Sequence, residues 1–199
     1  SPAKMMAAQG FQPLNASGLP EYDMSNNDLT GANLAGTDLR EFNLAGANLT
    51  NANLTNALMG GANLTGATLT GAKLVGATLT NSDASGNPTG IIITTTTNLT
   101  NALLGKADLT GADLTAATLT GATLTGAKLN TATLTGADIT GADLTGADLT
   151  GATLTNIVID AATILTSAKL ISADLSSTNI LAADLTSIEM AKADLTGAN

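Results

Sequence analysis

Carboxylates are the main candidates for chemistry in this sequence. The chain has no His and no Cys, so it lacks the commonest general base, the commonest transition-metal ligands and every thiol nucleophile. Asp138, Asp143 and Asp148 recur at five-residue spacing, and Asp174 and Asp194 are twenty residues apart. Two adjacent carboxylates can bind a cation or share a proton, but no phosphate loop, calcium-loop spacing or nucleophile–base arrangement accompanies them. We therefore predict no catalytic, cofactor-binding or metal-binding residues, no cofactor, and no enzymatic activity.

The charge balance restricts the partners further. Seven basic against sixteen acidic residues give a net charge of -9 and a pI near 4.1. The basic residues are scattered, so we expect no direct binding of nucleic acid. The mean hydropathy is +0.25, yet no uninterrupted apolar run approaches the roughly 18 residues that a membrane span needs.

The elements that position these carboxylates follow from an internal repeat. From Asn27 onward the chain reads A-(N/D/T)-L-T-(G/N) with a period of five. The central positions run from Leu29 to Ile164 in steps of five, and then from Leu170 to Leu195, so we place a one-residue slip between Ile164 and Leu170. Three centres are not Leu, Ile or Met: Ala84, Thr89 and Thr94.

A period of five fits neither an α-helix nor a flat strand. On a helix, successive centres would be about 140° apart, and on a strand they would alternate between faces. Either arrangement exposes about half of the Leu side chains, whose burial is worth about 1.5–3 kcal/mol each. The conflict disappears if the chain turns a corner every five residues. The centre and the Ala two residues before it then point inward, and Gly or Asn forms the corner.

These residues resemble a known family. The run Ala107-Asp108-Leu109-Thr110-Gly111 and its near copies closely resemble the pentapeptide-repeat family over residues 27–199. The resemblance implies an all-β fold, a right-handed quadrilateral β-helix with four repeats per coil. It also implies a structural module without assigned biochemistry, of a kind common in cyanobacteria and chloroplasts.

The repeat is absent from the N-terminal segment. Residues 1–26 begin with Ser1-Pro2 and an Ala- and Met-containing stretch that ends at Gly10, which predicts a short helix. Two of the three aromatic residues, Phe11 and Tyr22, also lie there. Because an open solenoid end exposes apolar side chains and strand edges, we predict that residues 1–26 form an N-terminal cap.

The repeat also degenerates at residues 81–98, and two interpretations remain open. The interval from Leu79 to Leu99 is 20 residues, one full coil, which favours a degenerate coil with Ile92 inward and Pro88 at a corner. Alternatively, residues 81–90 form a loop insertion and residues 91–97 return as a strand. Loops that leave a rigid scaffold are frequent binding sites.

A uniform 20-residue coil predicts which outward residues stack. One predicted column is Asp28, Asn48, Thr68, Pro88, Asp108, Lys128, Asp148, Lys169 and Glu189. Its second half alternates in sign and predicts a surface charge ladder. The other three columns also contain Asp, so we expect acidic residues on all four faces. Asp138, Asp143 and Asp148 fall on successive faces, so we expect them to diverge and not to converge on a substrate.

These features predict a non-catalytic scaffold or protein-interaction module with an unknown protein partner. The C-terminal coil has no visible cap, so either the chain is trimmed there or the last coil contacts another molecule, for example in end-to-end self-association. The resemblance also suggests an alternative, a DNA-mimicking inhibitor of DNA gyrase. However, the net charge of -9 is small beside the roughly 24 charges on 40 Å of duplex DNA.

A lesser alternative is an ice-binding surface formed by T-x-T rows such as Thr118-Leu119-Thr120.

The opening Ser indicates a processed N-terminus or a cut tag, and we see no signal peptide. The resemblance favours the thylakoid lumen or periplasm as the location, with the cytoplasm as the alternative.

Overall fold

A computed structural model describes residues 23–40, 42–82, 88–90, 97–180, 183 and 185–199. It contains four short strands, β1 (Thr80–Ser82), β2 (Pro88–Gly90), β3 (Val158–Ile159) and β4 (Asn179–Ile180). The rest of the described chain is extended segments joined by single parallel bridges and by turns. Within these residues there is no helix with the length and apolar character that a membrane crossing needs.

The chain winds as a parallel β-helix with four sides. In the first coils the residue before each buried centre pairs with the residue 20 positions later, so four five-residue segments complete one coil. We call these outward residues column residues and number the sides in chain order, using that order where a bridge is absent. Side 1 holds Asp23, Asn43, Asn63, Asp113, Thr133, Thr153, Asp174 and Asp194. Side 2 holds Asp28, Asn48, Thr68, Asn98, Thr118, Asp138, Val158 and Asn179. Side 3 holds Asn33, Asn53, Lys73, Leu103, Thr123, Asp143 and Ile164. Side 4 holds Asp38, Leu58, Thr78, Asp108, Lys128, Asp148, Lys169 and Glu189.

The same backbone hydrogen bonds recur at almost every rung. At the rung of Lys128, its amide donates to the Ala107 carbonyl below at 2.9 Å, and its carbonyl accepts the Leu109 amide at 2.8 Å. The corner amide of Gly111 donates to the Asn130 carbonyl of the next coil at 2.9 Å. Neighbouring coils therefore satisfy each other's backbone polar groups, as parallel strands do.

The core lies on the helix axis. The described central residues from Leu29 through Leu175 are almost completely buried, as are the Ala residues two positions before them, apart from the partly buried Ala32. Phe42 takes one of these Ala positions and is also buried. Thr occupies four such positions in the described chain, and its side chain is buried at each of them. Each hydroxyl donates a hydrogen bond to a backbone carbonyl; the residues are Thr37, Thr97, Thr163 and Thr178. The predicted inward positions are thus confirmed for most of the chain.

Every described corner between centres five residues apart has left-handed backbone, whereas the six-residue step from Ile159 to Leu165 does not. The residue two positions after the centre has φ near +60°, and Gly or Asn occupies most of these positions. Thr131 has φ +56° even though it is β-branched, a conformation that such residues rarely adopt. Where the corner residue is Asn, its side chain points toward the corner of the next coil. A Cβ added to Gly121 would lie 2.5 Å from Asn101 Oδ1, whereas one added to Gly146 would meet nothing within 4 Å.

Residues 80–82 and 88–90 form the two paired strands of a hairpin that leaves the coil. Strand β1 pairs antiparallel with β2, with Asn81 opposite Thr89 and Ser82 opposite Pro88. Thr68 pairs with Asn98 and Thr78 with Asp108, a step of 30 residues, whereas the other described coils have 20, or 21 where the slip falls. Ten residues are therefore inserted, and the degenerate coil with Pro88 at a corner is wrong. Ile92 and the predicted returning strand lie largely outside the described residues.

The one-residue slip occurs one repeat earlier than predicted. Ile164 is a column residue, 44% exposed and paired with Asp143, whereas Leu165 is the buried centre at 1% exposure. The preceding centre is Ile159, so six residues separate the two centres. The predicted slip between Ile164 and Leu170 is therefore wrong. Ile164 and Leu165 are both aliphatic, and a strict count of five from Ile159 selects Ile164 as the centre.

The β-helix extends toward the N-terminus beyond the predicted boundary. Asp23 pairs with Asn43, and Met24 is a buried centre, so residues 23–26 belong to the coil and not to a cap. The rest of the predicted cap, residues 1–22 with Phe11 and Tyr22, lies outside the described residues. In the last described coil the centres are less covered, and Leu195 is 46% exposed.

The position of the slip can be tested with neighbouring substitutions. We expect Leu165→Ala to lower the free energy of unfolding by about 2–5 kcal/mol, because it empties a buried site. Ile164→Ala should cost less than about 1 kcal/mol, since that side chain is largely in water. Urea denaturation followed by circular dichroism measures both. The reverse order would restore the slip between Ile164 and Leu170.

The corner packing is tested with matched glycines. Gly121→Ala and Gly146→Ala both place a methyl group on left-handed backbone, at a cost of about 1 kcal/mol. Only Gly121→Ala also displaces the Asn101 side chain, so we expect it to cost about 1 kcal/mol more. Adding Asn101→Gly to the Gly121→Ala protein should remove this extra loss of stability, measured by thermal denaturation. Equal costs for the two alanines, or no rescue, would contradict the contact.

Candidate functional site

The outward carboxylates are held by a repeated local hydrogen bond. Each described column Asp accepts, through Oδ1, the backbone N–H of the residue two positions later, at 2.9–3.2 Å. The residues are Asp23, Asp28, Asp38, Asp108, Asp113, Asp138, Asp143, Asp148, Asp174 and Asp194. The short Asp side chain is suited to this bond, which forms an Asx turn at the end of each extended segment.

Thr in the repeat adds a second bond. The Thr hydroxyl two residues after Asp28, Asp143 and Asp148 donates to the same Oδ1 at 2.6 Å. On the other oxygen, Thr120 donates to Asp138 Oδ2 at 2.9 Å from the neighbouring coil. The carboxylates are thus held in fixed positions within and between coils.

These bonds favour the ionised carboxylates. The Thr30 hydroxyl and amide lower the pKa of Asp28, and the Thr196 hydroxyl and amide lower the pKa of Asp194. At Asp143, burial acts to raise the pKa, but the Thr145 hydroxyl and amide outweigh it and the pKa is lowered. Asp38 is the strongest case, because the Arg40 guanidinium binds both of its oxygens at 2.7 and 2.8 Å and lowers its pKa to about 2.

The structure does not bring the candidate catalytic carboxylates together. Asp138, Asp143 and Asp148 lie on sides 2, 3 and 4, so they diverge as the repeat predicts. Asp174 and Asp194 are neighbours on side 1, joined by a parallel bridge. Across the part of the chain that the structure describes, no group of three or more acidic side chains is placed to hold a metal ion.

The charge ladder exists on side 4, but its start differs from the prediction. Lys128 Nζ lies 3.5 Å from Asp108 Oδ2, and Lys169 attracts the Asp148 carboxylate. Asp108 is stacked on Thr78 and not on Pro88, because the hairpin removes ten residues from the coil. Every predicted column that continues past the hairpin is wrong for the same reason. Both ion pairs found between described residues, Asp38–Arg40 and Asp108–Lys128, lie on side 4.

The corrected register also separates charge by side, which the sequence-based columns missed. All described Lys and Arg residues lie on sides 3 and 4 or at the corners that bound side 4: Arg40, Lys73, Lys106, Lys128, Lys169 and Lys192. Sides 1 and 2 carry only acidic charges among the described residues: Asp23, Asp28, Asp113, Asp138, Asp160, Asp174 and Asp194. Acidic residues do lie on all four sides, as predicted, including Asp143 on side 3. The unpredicted feature is the placement of the basic residues, although the corner that holds Lys192 also borders side 1.

The pKa of Asp38 tests the electrostatics of these turns. Carbon-13 NMR of the side-chain carboxyl should give a value of about 2, and Arg40→Ala should raise it toward the ordinary 3.8. Because the folded pKa is depressed, its stabilising effect is present above the ordinary pKa and is lost as the pH falls from about 4 to about 2. Lys73→Ala, on another side, should leave the Asp38 titration unchanged. If the pKa of Asp38 stayed at about 2 in the Arg40→Ala protein, the ion pair with Arg40 would not be its cause.

Comparisons with known proteins identify the repeat. The family model described as pentapeptide repeats matches eight copies, over residues 19–46, 28–66, 47–86, 97–130, 119–156 and 163–199. Among curated protein sequences, none matches the chain.

The chain is similar to solved structures that include HetL, QnrB1 and an Arabidopsis thaliana protein. HetL, involved in heterocyst differentiation regulation in the cyanobacterium Nostoc sp. strain PCC 7120, is 34% identical, with 88% of this chain and 67% of that chain covered and a TM-score of 0.41. QnrB1, a plasmid-mediated fluoroquinolone resistance protein, is 19% identical, with 83% and 81% covered and a TM-score of 0.43. A pentapeptide repeat protein of the Arabidopsis thaliana thylakoid lumen is 29% identical, with 58% and 70% covered and a TM-score of 0.28.

The family match, the five-residue segments and the buried centres agree on one architecture. The fold is a right-handed quadrilateral β-helix, and the chain belongs to the pentapeptide repeat family.

Proposed function

We propose that this chain is a non-catalytic scaffold that binds another protein through the outer surface of its β-helix. The observation that carries the proposal is that the outward carboxylates are held in fixed positions and kept ionised. They are tied into Asx turns on a repeating backbone, and each resolved shift of their pKa is downward. A carboxylate of this kind is ionised at neutral pH, whereas a general acid must be held protonated. Rigid, ionised side chains are suited to recognition.

Family membership supports the same class of function. Repeat proteins of one-dimensional architecture present extended surfaces to their partners. The given sequence also contains no His or Cys for nucleophilic or transition-metal chemistry. By analogy with family members we propose the thylakoid lumen or the periplasm as the location, with the cytoplasm as the alternative.

Self-association through the C-terminal coil is a further part of the proposal. Leu185 and Leu195, which occupy central positions of the repeat, are exposed in the last described coil. Apolar side chains of this kind favour contact with another apolar surface. Sedimentation equilibrium should show dimers that Leu195→Lys dissociates, whereas Leu58→Lys, at an exposed column position of similar accessibility, should leave them intact.

The two alternatives have less support. A gyrase inhibitor that mimics DNA needs strong charge around the rod, but sides 3 and 4 carry bases as well as acids. An ice-binding face needs free Thr hydroxyls in regular rows. On side 2, the hydroxyls of Thr30 and Thr50 already donate to Asp28 and Asn48 at 2.6 Å.

The scaffold function is tested by cross-linking the chain to its neighbours in the organism that encodes it. We expect a saturable protein partner, which after purification binds the chain in calorimetry with a Kd below about 10 μM. Leu114→Asp, which places a charge in the core, should abolish binding, while the surface change Thr123→Ser should not. Turnover of a small substrate that is lost in Asp143→Asn would contradict a non-catalytic role.

A further inference from the structure

We infer that side 3, in the coil before the hairpin and the coil after it, is a docking site for an acidic segment of a partner protein that carries an aliphatic side chain. We call this site the side 3 patch; its residues are Lys73, Val75, Leu103, Gly105 and Lys106. The site belongs to the proposed scaffold function, on which its assignment rests, and it specifies the face that binds and the chemistry of the partner.

The patch is assembled from two adjacent rungs. Lys73 pairs with Leu103 although they are 30 residues apart, because the hairpin leaves the coil between them. In the row after the centres, the Gly76 amide donates to the Gly105 carbonyl at 3.0 Å, so Val75 and Gly105 also occupy neighbouring rungs. The excursion of the hairpin therefore brings two segments of unlike sequence into one surface.

Both rungs depart from the repeat toward apolar residues. The repeat has a polar residue before the centre and Thr after it, but here Leu103 precedes one centre and Val75 follows the other. Their side chains are 38% and 40% exposed. At a strand spacing of about 4.8 Å and a rise of about 3.3 Å per residue, their Cα atoms are about 8 Å apart on the diagonal. One bound aliphatic side chain can therefore contact both of them.

Gly105 leaves a shallow notch between these two side chains. The next rung has Thr125 in the same row, as the repeat predicts. The backbone of Gly105 is not left-handed, and a Cβ added to it would lie 3.7 Å from the Thr125 carbonyl oxygen, an ordinary contact. Glycine is therefore not needed here for the fold. Its missing side chain opens a space that Val75 bounds below and Leu103 bounds on the same strand.

The charges of the patch are positive. Within described residues 43–82 and 97–107, the only charged residues are Lys73 and Lys106. Both side chains are exposed, and neither takes part in the ion pairs found between described residues. Carboxylates of a partner would therefore complement two ammonium groups that lack a counter-ion within the described chain.

The described acids that border the patch already have partners. Asp108 lies around the corner on side 4, where its carboxylate is 3.5 Å from the Lys128 ammonium. Asp143 lies on side 3, two rungs above Leu103 and about 10 Å from it along the sheet. Its carboxylate accepts hydrogen bonds from two Thr hydroxyls. Neither acid therefore takes the place of a partner's carboxylate at the patch.

The spacing of the two ammonium groups favours an extended segment. Lys73 precedes the centre on one rung and Lys106 follows the centre by two residues on the next, so their Cα atoms are at most about 11 Å apart. Alternate residues of an extended segment face the same way. A Glu-x-Leu-x-Glu sequence therefore points its Leu toward the notch and one carboxylate toward each Lys, whose flexible side chain adjusts to the separation.

Other occupants fit this patch less well. The net charge of -9 repels nucleic acid and anionic membranes, and two Lys are few beside the charge density of either. A second copy of the same patch would bring like charges together.

The experiment restores the residues of the repeat at the patch. Val75→Thr and Gly105→Thr each put back the Thr that the repeat has after its centre, so the fold is retained while the apolar contact or the notch is lost. Val158→Thr is the matched control, because Val158 is a column residue on side 2 with 45% exposure. Thermal denaturation should give similar midpoints for the three variants.

The charges are tested with two double variants of equal net charge. Lys73→Gln with Lys106→Gln neutralises the patch, and Lys128→Gln with Lys169→Gln neutralises two Lys on side 4. The probe is the blocked heptapeptide Ser-Glu-Ser-Leu-Ser-Glu-Ser, titrated in about 20 mM NaCl to limit screening and followed by amide chemical shifts. Control peptides replace the Leu by Ser or both Glu by Lys.

We expect the heptapeptide to shift the amides of side 3 on these two rungs. Val75→Thr, Gly105→Thr and the double variant at the patch should each weaken binding about fivefold or more, because each removes one element of the site. Val158→Thr and the double variant on side 4 should change binding by less than about twofold. Each control peptide should bind about fivefold or more weakly than the probe.

No shift on side 3, shifts centred on another side, or equal weakening by Val158→Thr would overturn the docking site. So would dimers that Leu103→Ser dissociates, which would assign the patch to a second copy. Because the chain has no Cys, a nitroxide can be attached at Ser1→Cys or Ser85→Cys, and broadening of the side 3 amides would assign the patch to the chain's own residues and also overturn the site. A protein partner bound on another side would refute this docking site and leave the scaffold function intact.

Discussion

The left-handed corner is the constraint on which the structure depends. An L-amino acid enters this backbone region at a cost, and the chain enters it at every described five-residue step between central aliphatic side chains. The six-residue step from Ile159 to Leu165 reaches the axis without it. Gly and Asn meet that demand most easily, which explains the residue that follows each Thr in the repeat. The corners also stack, so a side chain on one coil limits what the next coil can carry, as Asn101 does for Gly121. A corner residue must therefore both adopt left-handed backbone and fit against the corner of the neighbouring coil.

On the outer surface, one local motif also meets two structural requirements. The Asx turn that ends an extended segment also holds a carboxylate in place and keeps it ionised. An Asn at the same position makes the same turn without the charge, as Asn48 does below Thr68 on side 2. Charge can therefore be added or removed along a side with little effect on the backbone. The charge of the outer surface can therefore differ between coils that share one backbone.

The period of five was sufficient to predict a corner-turning solenoid, its buried Leu and Ala positions, and the divergence of Asp138, Asp143 and Asp148. These follow from the burial of one aliphatic residue per repeat, which is a strong and local signal. Two features could not be obtained this way. Ile164 and Leu165 are equally apolar, so composition does not show which one is inside. The hairpin has a length divisible by five, so the repeat continues in phase after it and conceals the ten residues that leave the coil.

That concealed length has a further consequence for how such proteins diversify. Because the hairpin leaves the coil, Thr68 still stacks on Asn98 and Thr78 on Asp108, so the columns before and after it stay continuous while each Leu stays on the axis. Ten residues that stayed in the coil would instead fill two sides and turn every later column by half a revolution. Repeats gained within the coil can thus recombine old stripes of residues into new faces, whereas an excursion leaves the faces as they were.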